Sequence, residues 1–124
     1  MDTAPGYTVD ALLADASETV RQTYGRLLIA LRGFGEVAED AKKTSIHLAP
    51  GPEGPAFAGV HPRKSALLLN VRSAAAIDGP RIRKTEQVSR NRFHNELLLA
   101  TPDDVDAELV GWLRDAYQLA AAKR

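Results

Sequence analysis

Ser65-Ala-Leu-Leu-Leu-Asn-Val-Arg72 is the stretch on which the fold turns. It is an apolar run with Arg63-Lys64 before it and small residues after it. A run of this length between breakers reads as a strand buried at the centre of a sheet rather than as a helix. The remaining segments fall into layers placed against that strand.

Upstream, Pro5-Gly6 breaks a leader over residues 1–7, and the core of a single domain (1–124) is expected over 8–122. Thr8 and Asp10 start a short helix through Leu13. Asp15-Ala-Ser-Glu18 has the spacing of an acidic capping box. The helix behind it sets Val20, Tyr24, Leu27, Leu28 and Leu31 on one stripe, with Arg21, Gln22, Arg26 and Arg32 outside it. Gly33-Phe-Gly35 is expected to stop it through a left-handed glycine cap. Thr44-Ser-Ile-His-Leu48 alternates, so Ile46 and Leu48 share one face and Ser45 and His47 the other. Ala56-Phe-Ala-Gly-Val60 is a second strand. His61-Pro-Arg-Lys64 is short enough to join it antiparallel to the central run.

Downstream, Ser73-Ala-Ala-Ala-Ile77 reads as a helical turn ended by Asp78-Gly-Pro80. Residues 81–92 are polar, basic and without period, which predicts an ordered loop or lid. A last strand, Phe93 to Ala100, precedes Thr101-Pro-Asp-Asp104, where hydroxyl, proline and acids mark a helix start. The stripe Val105, Leu109, Trp112, Leu113, Ala116 and Ala120 repeats the spacing of the first long helix. The expected architecture is α+β: a two-layer sandwich, with an antiparallel four- or five-stranded meander and two long helices packed on one face.

The chain's 16 basic and 16 acidic residues cancel, but unevenly along its length. Residues 42–94 carry ten Lys/Arg against three Asp/Glu, whereas 1–41 carry three against seven and 95–124 three against six. The sheet region is basic and the helical flanks acidic. The absence of cysteine excludes a disulfide framework, a thiolate nucleophile and a Cys-based zinc site. The N-terminus has no secretory pattern, and no apolar stretch nears the ~20 residues of a membrane span. A cytoplasmic location and no membrane partner are the expectations.

Lys42-Lys-Thr44, Phe57-Ala-Gly-Val-His-Pro62, Arg90-Asn-Arg-Phe-His94 and Val105-Asp-Ala-Glu-Leu-Val-Gly-Trp-Leu-Arg-Asp-Ala-Tyr117 together resemble a family of small bacterial α+β domains, the domain of unknown function 5655. The likeness runs from Tyr7 to Ala121, and its last two segments are the most specific. The resemblance implies the fold and places basic or histidine side chains at Lys42, Lys43, Arg92 and His94. It implies no reaction.

The candidate ligand-binding residues are Lys43, Arg63, Arg72, Arg92 and His94, with His47 beside them. By alternation His47, Arg72 and His94 share the sheet face that the helices leave open. Such a surface suits a carboxylate or phosphate, Arg offering a planar fork and Lys a point charge. The plain alternative is a solvated outer face, the usual state of Lys and Arg. His94 has the pKa for proton transfer, yet no nucleophile accompanies it. His47, His61 and His94 lack metal-ligand spacing, so neither metal nor cofactor is expected.

These readings favour a non-enzymatic binding module for an anionic small molecule or an acidic protein segment. The runner-up is a nucleic-acid accessory domain contacting phosphates through 42–94. Against it, the aromatics that would stack on bases are sparse there. Oligomeric state stays open.

Overall fold

The computed structural model describes residues 7–123, so of the expected leader only Tyr7 is described and residues 1–6 lie outside. Helix α1 (Val9–Leu13) is capped as expected, the Thr8 hydroxyl accepting from the Ala11 N–H at 3.0 Å. Helix α2 (Glu18–Arg32) is capped by Ser17, whose Oγ accepts from the Val20 N–H at 3.2 Å, and not by Asp15. The reason is that the backbone at Ala16 is still closing α1, its N–H donating to the Leu13 carbonyl. The glycine cap also differs from expectation. Gly33 ends α2 in a right-handed conformation, and it is Gly35, at φ +149°, that turns the chain beneath the Tyr117 hydroxyl.

Six strands follow: β1 (Ala38–Ala41), β2 (Ile46–Ala49), β3 (Ala58–Pro62), β4 (Leu67–Ser73), β5 (Lys84–Ser89) and β6 (Arg92–Leu99). They lie in the order β1-β2-β3-β4-β6-β5, each antiparallel to its neighbours. The central run is β4, as expected. Residues 81–92, expected as a loop or lid, hold the edge strand β5, and every one of its residues is exposed. With neither face buried it carries no apolar alternation, which is why the pattern is silent there.

The sheet is therefore a meander only as far as β4. Residues 74–83 then pass β6 and reach the edge, on the side that carries the helices. Ile77 and Ile82 pack against the core there, and Gly79 lies against the Trp112 ring. Residues 73–77 do not make the expected helical turn, because this link is extended.

Thr101-Pro-Asp-Asp104 opens a single 3-10 turn (Pro102–Asp104) rather than the long helix. Asp104 folds back to accept the N–H groups of Ala100 and Thr101 at 2.7 and 3.1 Å, and Val105 leaves helical geometry to enter the core. Helix α3 (Ala107–Ala121) starts one turn later, with Asp106 as its N-cap.

Helices α2 and α3 touch each other and both lie against β4. Their stripes, Val20, Tyr24, Leu27 and Leu31 with Leu109, Leu113, Ala116 and Ala120, close over one sheet face. That face presents the row Ile46, Val60, Leu69, Leu97, each opposite the next across four strands and each fully buried. Burial of this kind is worth about 1.5–3 kcal/mol per large aliphatic side chain. It leaves the other face of the sheet uncovered. No described helix is long and apolar enough to cross a membrane.

Candidate functional site

The uncovered face is set by strand parity. One row crosses all six strands: Asp40, His47, Gly59, Asn70, Glu96, Lys84, each facing the next. A second row beside it runs Arg72, His94, Glu86, and a third His61, Leu68, Leu98. Side chains opposite one another across antiparallel strands lie about 4.5–5.5 Å apart at Cβ, so these rows form one surface. Gly59 contributes no side chain to it. The gap becomes a depression of about 220 Å³ lined by His47, His61, Leu68, Asn70, Arg72 and Glu96. Beyond His47 a second hollow, about 440 Å³, runs under the Gly51–Gly54 loop toward Ala38 and Asp40.

Arg72 is held from below. Its Nη1 donates to the Ala56 carbonyl at 3.2 Å, and its backbone N–H donates to the Phe57 carbonyl at 3.1 Å. Its Nε, together with Asn70 Oδ1, is shut off from solvent with no hydrogen-bond partner among the described residues. An unpaired buried donor or acceptor costs about 1–3 kcal/mol, so two of them side by side on adjacent same-face positions of β4 need an explanation.

Partial burial, and after it the positive field of Arg72, holds the His47 and His94 imidazoles below their ordinary pKa. Lys42 adds to this at His47 and Arg92 at His94, while Asp40 and Glu86 oppose it. Burial, then Arg92, likewise lowers Arg72. Arg72 thus stands as a cation flanked by two histidines biased toward neutrality.

This bias has a sign. The unfolded chain regains the ordinary histidine value of 6.5, so below it the unfolded state binds more protons than the folded one. The stabilising contribution is present above that pH and is lost as pH falls toward the lower folded values. The urea midpoint is expected to fall between about pH 8 and 5.5, and to fall less in a His47→Gln/His94→Gln variant. Equal slopes in the two proteins would refute the assignment.

The expected site residues divide. Arg72 and His94 face each other on the open side, and Arg92 opens β6 close enough to act on both. Lys43 and Arg63 are exposed in the hairpin turns β1–β2 and β3–β4, at the end of the sheet away from Ser73 and Arg92. The fold does not bring them to the depression.

Nor is the face simply basic. Asp40, Glu86 and Glu96 stand on it, and Lys42 is paired with Asp40 at 2.9 Å. Arg81 is drawn to the helix side, where it binds Asp106 and Glu108 at 2.9 and 3.3 Å and the Asp104 carbonyl at 2.7 Å. The residues that sequence reading passed over are Gly59, Asn70 and Glu96. Their parity with His47 and Arg72 was the available signal, a small residue and two polar ones at outward positions of otherwise apolar strands. Among the described residues no group of three His, Cys, Asp or Glu is placed to hold a metal ion.

The profile of one family, described as Domain of unknown function (DUF5655), matches residues 9–120, which takes in every strand of the sheet and all but the last residue of α3. No curated protein and no solved structure matches the chain.

Proposed function

The chain belongs to the family of the domain of unknown function DUF5655, and from that premise, which carries no activity with it, we propose that it is a small binding module taking an anionic group on Arg72 at the open sheet face. One observation carries the reading: a rigidly anchored guanidinium whose Nε is unpaired, in a depression that no element of the chain covers. An arginine fixed on one side and free on the other is suited to a carboxylate or phosphate, because its planar fork can pair two oxygens at once. Neutral histidines on either side add donors without adding charge.

Nucleic acid is a weaker fit. A phosphate track across this face would meet Asp40, Glu86 and Glu96, and the cations at Lys43 and Arg63 lie at the far end. Binding that depended on several phosphates would weaken by orders of magnitude between about 50 and 200 mM salt.

The test is an amide NMR titration with sodium acetate and with inorganic phosphate. Saturable shifts centred on Gly59, Asn70, Arg72 and His94, absent in Arg72→Gln, are the expected result. Shifts that are non-saturable, or unchanged in Arg72→Gln, would overturn it. Retention of an oligonucleotide by both proteins would point to the phosphate-track alternative instead.

A further inference from the structure

The same depression carries an acidic arm that an anion site has no use for. Glu96 lies directly opposite Asn70 and one row from Arg72, lines the hollow with both, and makes no ion pair although Arg72 and Lys84 stand on either side of it. Asn70 Oδ1, the unpaired acceptor, sits between the Glu96 carboxylate and the Arg72 guanidinium in this arrangement. A donor-seeking half (Asn70 Oδ1 and Glu96) is thus set beside an acceptor-seeking half (Arg72 with His47). We infer that the occupant is a small zwitterion, its carboxylate on Arg72 and its ammonium on Glu96 and Asn70 Oδ1.

This rests on the anion-site reading above and adds the second half of the ligand. Three things favour it. Diagonal neighbours on one sheet face lie about 7–8 Å apart at Cα, a span that an Arg and a Glu side chain close to the few ångströms between the charges of an amino acid. A hollow of about 220 Å³ is below the range of about 300–1,000 Å³ usual for drug-sized ligands, and fits a molecule of a few heavy atoms. An anion alone would be repelled by an unpaired Glu96, whereas a zwitterion turns that charge into a contact and pairs the buried acceptor with its N–H donors.

The experiment extends the titration to glycine, β-alanine and 4-aminobutyrate, with acetate and methylammonium as half-ligands. At least one ω-amino acid is expected to bind ten-fold or more tightly than acetate, and methylammonium weakly or not at all. Glu96→Gln should bring the amino acid down to the acetate level while leaving acetate itself unchanged or slightly tighter. Arg72→Gln, or Arg72→Lys if the former is poorly folded, should weaken both.

If acetate binds at Arg72 but no amino acid binds more tightly, or Glu96→Gln leaves their ratio unchanged, the zwitterion inference fails and the anion site stands. If acetate, phosphate and the amino acids all fail to bind, both fail together.

Discussion

Asn95→Ala is expected to lower stability by roughly 3–5 kcal/mol, and the thermal midpoint of this 124-residue domain by roughly 10–20 °C. Asn95 is fully buried at a position whose parity belongs to the core, in the row Leu48, Ala58, Val71, Asn95. Its amide nitrogen donates to the Val71 carbonyl at 2.9 Å and to Ser73 Oγ at 2.8 Å. Its Oδ1 accepts from the Ile77 N–H at 3.0 Å and from Thr85 Oγ1 at 3.3 Å. Three segments meet on this one side chain: the end of β4, the link that passes over to the sheet edge, and β5. Alanine leaves the Val71 carbonyl and the Ile77 N–H without their partner, at about 1–3 kcal/mol each, and opens a small void besides.

Hydrogen exchange gives a local readout of the same variant. The Ile77 amide should lose its protection while amides of α2 and β3 keep theirs relative to global stability. A loss under about 1 kcal/mol with Ile77 still protected would mean that the link is held by its apolar contacts alone.

How much of this was written in the chain can be judged element by element. The apolar run of β4, the two helical stripes and the alternation at Ile46 and Leu48 are local signals, and each predicts which way its own side chains face. The shared face of His47, Arg72 and His94 follows from them, and the register bears it out, with Arg72 opposite His94. What was illegible depends on partners distant in sequence. Strand β5 exists because β6 offers it an edge, and its exposed Lys84-Thr-Glu-Gln-Val-Ser89 shows no pattern of its own. The choice of Ser17 over Asp15, and of Asp106 over Thr101, was decided by where the preceding turn ends.

The candidate site divides along the same line. Arg72 and His94 were found by parity, whereas Lys43 and Arg63 were grouped with them by charge and by proximity to strands. Charge has no parity in a hairpin turn. Glu96 and Asn70 escaped notice for the opposite reason: a search for cations passes over the acceptors that stand among them.

The second large effect lies in β4 itself, where two successive residues are expected to respond with opposite sign. Leu69→Ala should cost about 2–5 kcal/mol, because Leu69 is fully buried between Val60 and Leu97 beneath the helices and its removal leaves a cavity that close packing cannot fill. Asn70→Val, one residue on and facing the other way, should be neutral or stabilising by up to about 1 kcal/mol. It removes a buried acceptor that no protein group satisfies, and puts a β-branched side chain on a central strand. Urea unfolding of the two variants beside the parent measures both effects.

The contrast separates residues kept for the fold from residues kept at its expense. A position that gains stability when its polar group is deleted is one where that group serves something other than the folded chain. Leu69→Ala should leave acetate binding unchanged at temperatures where it is still folded, since its side chain never reaches the open face; Asn70→Val should be as stable as the parent and bind amino acids less well. If Asn70→Val instead costs more than about 1 kcal/mol, Asn70 Oδ1 has a partner within the protein in solution, and a hollow that is complete without a ligand has no call for one.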